Sequence, residues 1–200
     1  MARRSDHSRD QLAGLVIAAA RGIVETQGRS GVTMRKIAAE IGYSAGSIYN
    51  AVGDQEAVLR QVDAATLQGL VACLEAVLAD PATASGSLEK AVGIADAYIG
   101  YVVENARLWS ALLERPPLPG EEVADFYALP RARLIALVGE VIAPFFTDEA
   151  ALRRSVVALW SSLQGVASLA AGGNLHFLGQ TIDPHEIART IVKRYLSGQD

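Results

Sequence analysis

Thr33-Met34-Arg35-Lys36-Ile37-Ala38-Ala39-Glu40-Ile41-Gly42-Tyr43-Ser44-Ala45-Gly46-Ser47-Ile48-Tyr49-Asn50 is the stretch whose reading decides the fold. Thr33 is a good helix N-cap. Met34, Ile37, Ala38 and Ile41 follow it at i, i+3, i+4 and i+7, so the spacing predicts a short amphipathic helix that Gly42 ends. Gly42 can adopt the left-handed conformation of a tight turn, and Ser44 caps the next helix. Ala45, Ile48, Tyr49 and Val52 mark that second helix as very short. Ile37, Ala38, Ile41 and Ile48 hold the pair at a fixed angle and leave Ala45, Gly46, Ser47 and Asn50 facing out. A helix without bulky outward side chains fits deep in a DNA major groove, and two helices arranged this way form a helix-turn-helix.

Upstream, Ser8-Arg9-Asp10-Gln11 has the form of a capping box. Leu12, Leu15, Val16, Ala19, Ile23 and Val24 then fall at helical intervals, which predicts a helix from about Arg9 to Gln27 that Gly28 and Gly31 stop. Downstream, Asp54 caps a helix that opens at Gln55 and runs to about Ala79, where Asp80-Pro81 breaks it. Further helices are expected over about Ser87 to Glu104 and Asn105 to Glu114. Arg115-Pro116-Pro117-Leu118-Pro119-Gly120 reads as a loop. A helix from about Glu121 to Ile142 follows, with a kink expected at Pro130. The next is capped by Thr147 or Asp148 and ends at Gly172-Gly173. Asp183-Pro184-His185-Glu186 opens the last, which ends near Ser197-Gly198. The expected fold is all-α, with about nine helices: a three-helix head over 1–55 and a helical body over 56–200. There is no internal repeat and no low-complexity segment.

Half of the residues are hydrophobic and only 6% are aromatic, which suits a helical core better than a sandwich or barrel. The net charge is −4, but it is unevenly spread. Residues 1–60 carry eight Lys or Arg against six Asp or Glu, and the remainder carries ten against sixteen. A mildly basic head on an acidic body is the asymmetry expected when one end meets phosphates. No segment reads as a membrane span, and Arg3 and Arg4 lack the features of a signal peptide, so a cytoplasmic location is expected. The single cysteine, Cys73, reads as core packing. An enzyme is disfavoured. Glu121-Glu122 and Asp148-Glu149 sit at expected helix starts, where the dipole favours carboxylates. His7, His176 and His185 lack metal-ligand spacing, and neither a phosphate loop nor a Ser-His-Asp arrangement is evident. No catalytic residue, metal ligand or cofactor is therefore expected.

From about residue 10 to 59, the features in their order resemble the DNA-binding head of TetR-type regulators. They are the amphipathic first helix, Thr33, Ile37-Ala38, Gly42-Tyr43-Ser44, Gly46-Ser47-Ile48-Tyr49 and the acidic start of the fourth helix. The resemblance implies that Thr33, Ser44, Tyr49 and Asn50 bind phosphates. It implies that Arg35, Ala45, Gly46 and Ser47 approach base edges, where an arginine suits guanine. A solvated helix face is the other reading of Arg35. Arg3, Arg4 and Arg9 either reach the adjacent groove or backbone, or form a basic tail. Two positions depart from the family pattern. Val52 stands where an aromatic is usual, with a packing loss of about 1 kcal/mol. Gln55 stands where a lysine near a phosphate is common; glutamine still offers a hydrogen bond.

In the body, Trp160-Ser161-Ser162-Leu163-Gln164-Gly165 resembles the Trp-His-Gly signature of one TetR subgroup, with Gln164 in place of the histidine. Asn105-Ala106-Arg107-Leu108-Trp109-Ser110-Ala111-Leu112-Leu113 resembles the short helix preceding the ligand pocket of that subgroup. Tyr98, Tyr101, Trp109, Leu113, Phe126, Tyr127, Trp160 and Gln164 are then the candidate contacts of a small, largely apolar effector. Core packing is the competing reading of the aromatics, and a satisfied buried amide that of Gln164. Val156, Leu159, Leu163, Val166, Ala167 and Ala170, with Ile187, Ile191 and Tyr195, make a stripe on the last two helices suited to a homodimer. The resemblance as a whole implies a repressor that leaves a palindromic, double-stranded DNA operator when the effector binds, with activation as the other arrangement such regulators use. A helical ligand-binding protein with a degenerate head is the alternative.

Overall fold

The computed structural model describes residues 7–81, 86–114, 124–178 and 182–198. They contain nine α-helices and no strand: α1 (Arg9–Gln27), α2 (Met34–Ile41), α3 (Ala45–Val52), α4 (Gln55–Ala79), α5 (Ser87–Glu104), α6 (Ala106–Glu114), α7 (Asp125–Ile142), α8 (Glu149–Ala171) and α9 (Pro184–Ser197). The expected boundaries follow from local hydrogen bonds. Ser8 and Gln11 form the reciprocal capping box, at 2.8 and 3.2 Å. Asp148, rather than Thr147, caps α8 by accepting from Ala150 and Ala151. Asp183 caps α9, with Pro184 at its first position. α7 continues through Pro130 as one helix. The loop expected at 115–120 and the start of the helix expected from Glu121 lie outside the described residues.

The chain forms two compact units. The first draws on Met1–Thr66 and Arg107–Tyr127, so it reaches beyond residue 55 along α4 and takes in α6. Here α1, α2 and α3 pack on one another around fully buried Val16, Val24, Ile37 and Ile48. Val58, Leu59 and Val62 of α4 join this core, as do Leu108 and Ala111 of α6. The second unit draws on Leu67–Ala106 and Ala128–Asp200, with α5, α8 and α9 mutually packed. Arg189 of α9 donates to Asp96 of α5 at 2.7 Å, and Tyr195 of α9 donates to Ser155 of α8 at 3.1 Å.

Two expectations change. The stripe assigned to the dimer faces inward: Leu159, Val166 and Ala167 are buried within the chain, and Val156, Leu163 and Ala170 are half-buried. The face of α8 left outward carries Val157, Ser161, Gly165 and Leu169 instead. A helix packed on two neighbours shows its most apolar stripe to them, so periodicity alone misassigns the exterior. In addition, α4 has the length and composition to cross a membrane, although the sequence reading found no such segment. Its apolar residues Val58, Leu59, Val62, Leu67, Leu70 and Leu74 are buried inside the protein.

Candidate nucleic-acid interface and the cavity of the body

The helix-turn-helix lies in the first unit. Gly42 turns the chain with φ 73° and ψ 29°, a left-handed conformation that glycine adopts at little cost. Its N–H and that of Tyr43 both donate to the Ala38 carbonyl. Thr33 Oγ1 accepts from the Lys36 N–H at 3.2 Å, and Ser44 Oγ accepts from the Ser47 N–H at 3.1 Å. The Ser44 and Ser47 hydroxyls lie 2.8 Å apart. Because only one proton can lie between them, the other hydroxyl keeps a donor for an outside acceptor.

Along α3, Ile48 is fully buried and Val52 nearly so, while Gly46, Tyr49 and Asn50 are exposed. The Tyr49 ring is 51% exposed, so it belongs to the surface rather than the core. Ser47 is half-buried, and Ala45, expected to face out, is instead half-buried against the core of the unit, because the start of α3 lies close on the packed helices. Thr33, Arg35, Ser44 and Gln55 are exposed, and Arg35 makes no ion pair among the described residues. Gln55 is the first residue of α4, directly after Asp54, whose carboxylate accepts from the Ala57 N–H at 2.8 Å. Arg9 donates to the Ala51 carbonyl at 3.4 Å; Arg3 and Arg4 lie outside the described residues. His7 Nδ1 sits 2.7 Å from the Tyr43 hydroxyl, bracing the turn from the N-terminal side.

A buried ionic cluster supports this unit, and sequence reading did not single it out. Arg29 lies between α1 and α2 and is only 8% exposed. Its guanidinium donates to Asp63 at 3.1 Å, to Glu56 at 3.1 Å and to the Ala111 carbonyl at 3.1 Å. Burial pushes the Asp63 carboxyl up to about 6, against the opposing attraction of Arg29. An arginine in the short Gly28-Arg29-Ser30-Gly31 connection carries no local signal of burial; its partners lie 27 to 82 residues away.

The second unit contains a small, partly open apolar cavity of about 30 Å3. Its walls include Leu74 of α4, Ile94 and Tyr98 of α5, Ile142 of α7, Trp160 of α8 and Val192 of α9. The Tyr98 and Trp160 rings meet at 5.2 Å and 53°. Tyr98 is 3% exposed, and that burial pushes its phenol well above the usual range. Its hydroxyl donates to Gln164 Oε1 at 2.5 Å, and Gln164 donates onward to Ser168 at 2.7 Å. The structure thus gathers Tyr98, Trp160 and Gln164. Tyr101 fits beside Gly69, where an added Cβ would meet its hydroxyl at 2.5 Å. Trp109 and Tyr127 are buried in the other unit, Tyr127 beneath the Arg60 guanidinium at 5.6 Å. Leu113 and Phe126, also of that unit, are exposed. Cys73 is half-buried, and burial raises its thiol. Among the described residues no group of His, Cys, Asp and Glu is placed to hold a metal ion.

Comparison with known proteins identifies two family models along the chain. Residues 16–62 match the model of bacterial regulatory proteins of the tetR family, and residues 91–195 match that of the tetracyclin repressor-like C-terminal domain. No curated protein matches the chain. Among solved structures, a protein of unknown function from Rhodococcus sp. RHA1 is 20% identical, covers 98% of each chain and has a TM-score of 0.80. The TetR family transcriptional regulator PfmR from Thermus thermophilus is 17% identical over 92% of this chain and 98% of its own, with a TM-score of 0.61. A TetR-family transcriptional regulator from Bordetella parapertussis is 16% identical over 94% of this chain and 96% of its own, also at 0.61. These structures share the fold. The chain belongs to the tetR family of bacterial regulatory proteins: it is a helix-turn-helix, DNA-binding regulator of transcription and not an enzyme.

Proposed function

We propose that this regulator is a cytoplasmic repressor, homodimeric through α8 and α9, which a small, largely apolar molecule releases from a palindromic operator. Residues 1–55 carry the surface that reads DNA, and ligand binding and dimerisation fall within 56–200. The observation that carries the reading is the outward face of α3. Gly46, Tyr49 and Asn50 stand free on a helix whose other face is anchored by Ile48 and Val52. Thr33, Ser44, Tyr49, Asn50 and Gln55 hold phosphates, and Arg35, Ala45, Gly46 and Ser47 meet base edges. The spare hydroxyl proton of the Ser44–Ser47 pair suits a phosphate oxygen.

One head contacts few base pairs, so two related by a two-fold axis read the operator together. The small and apolar outward residues of α8, Val157, Ser161, Gly165 and Leu169, support close helix approach between subunits. The effector enters the body cavity. Pockets that hold whole small molecules enclose roughly 300 Å3 or more, about ten times what this cavity offers. The effector therefore binds an opened state, and its unequal affinity for the two states shifts the population. Tyr98 and Gln164, where the subgroup has a histidine, supply the polar anchor. α4 carries the change, since Leu74 lines the cavity and Val58, Leu59 and Val62 of the same helix lie in the core of the head.

A gel shift with the DNA upstream of its own gene tests the reading. A discrete shift is expected, weakening steeply with salt as counterions are recaptured, and lost in Arg35→Ala and Tyr49→Ala with the fold intact. Absence of any shift with the wild-type protein would favour the degenerate-head alternative.

A further inference from the structure

We propose that α6 is a working part of the DNA-binding head and that Arg29 is the positioning residue through which it orients the α2–α3 pair. Leu108 and Ala111 of α6 belong to the same buried core as Ile37 and Ile48, although more than fifty residues of chain separate them. α6 is tied to the head twice more. Arg107 at its start donates to the Thr26 carbonyl in the last turn of α1, and the Ala111 carbonyl accepts from Arg29.

The connection that carries Arg29 has little freedom. Gly28 holds φ 74° with ψ 179°, a region open essentially to glycine alone. A Cβ on Gly31 would come within 2.5 Å of the Gln27 Cβ. Lys36 of α2 then grips this connection, donating to the Gln27 amide oxygen at 2.6 Å and to the Gly31 carbonyl at 3.0 Å. A contiguous set of contacts thus runs from the Ala111 carbonyl through Arg29 and its short connection to Lys36, and so to the helix that carries Arg35. Arg29 itself cannot serve a phosphate. It is nearly buried, and its donors are engaged by Asp63, Glu56 and Ala111. Its effect on DNA reading is therefore one of orientation.

The test uses the full chain and an operator that the wild-type protein selects from random duplexes. Arg29→Met alone would strand the buried Asp63 charge, so Arg29→Met/Asp63→Leu, which removes the pair together, is the first variant. Arg107→Met is the second; that side chain is exposed, and its loss leaves no buried charge. Two quantities are read: amide exchange over Met34–Val52 in the DNA-free protein, and the ratio of operator to non-specific DNA affinity. The proposal expects faster exchange confined to that segment. It also expects a specificity ratio lower by at least about tenfold, the loss equivalent to one base pair, with non-specific binding and its salt slope kept. The effects of the two variants should be less than additive when combined. It is overturned if both variants keep wild-type exchange and specificity. It is equally overturned if exchange accelerates uniformly across all helices, which marks a merely structural role. Should the first variant fail to fold, Arg107→Met decides; should the wild type select no operator, the exchange measurement decides.

Discussion

Asp63 gives the protein a pH-dependent stability of calculable sign and size. Its folded-state value of about 6 lies roughly two units above the 3.8 of an unburied carboxyl. At about 1.36 kcal/mol per unit, this corresponds to about 3 kcal/mol. The native state binds the proton more tightly than the unfolded chain. The contribution is therefore complete below about pH 4 and is lost as pH rises through about 6. Asp63→Asn keeps the shape of the side chain and an oxygen for Arg29 but removes the titration. Urea unfolding of both proteins, followed by helical circular dichroism at pH 4, 5, 6 and 7, isolates the effect. Protein concentration is held equal, because subunit association contributes to apparent stability. The variant carries a fixed offset from its altered bond to Arg29, so only the pH dependence of the difference matters. Between pH 4 and 7 the wild type should lose about 2 kcal/mol relative to the variant, mostly before pH 6. A difference that instead grows in favour of the wild type as pH rises would refute the reasoning. It would mean that the Arg29 attraction outweighs desolvation in this cluster.

Three further outcomes follow from the same contacts. Ser44→Ala removes the cap of α3 and should cost about 1 kcal/mol, seen as a melting temperature a few degrees lower together with a weaker gel shift; no change in either would deny the cap its role. Tyr98→Phe takes the donor from Gln164 Oε1 in a mostly apolar setting and should destabilise by about 1–3 kcal/mol in denaturant unfolding, whereas a neutral result would mean that water or another group replaces it freely. Val157→Glu changes a residue 64% exposed in the isolated chain, so the protomer should fold normally. Light scattering should then find monomers, with loss of the gel shift; an intact dimer would move the interface away from this face of α8.

What the amino-acid sequence determined by itself is the local structure. Ser8 with Gln11, Thr33, Ser44 and Asp183 each satisfy backbone donors within three residues of themselves, and Gly42 ends α2 with its own conformation. Such interactions need nothing from the rest of the chain, so helix limits and the helix-turn-helix were legible in the order of residues. The exposed face of α3 was legible in part: Gly46 and Asn50 face out as their positions opposite Ile48 and Val52 imply, whereas Ala45 packs against the core and the Tyr49 side chain turns outward. Tertiary structure decided the rest. It chose which side of α8 turns outward, because apolar periodicity does not distinguish a partner helix of the same chain from one of another subunit. It brought Trp160 and Tyr98 to a common cavity, while Trp109 and Tyr127 entered a different unit. It also buried Arg29 against Asp63, Glu56 and the Ala111 carbonyl. These pairings join residues tens of positions apart, and the free energy that selects them comes from desolvation and packing available only once the helices have assembled.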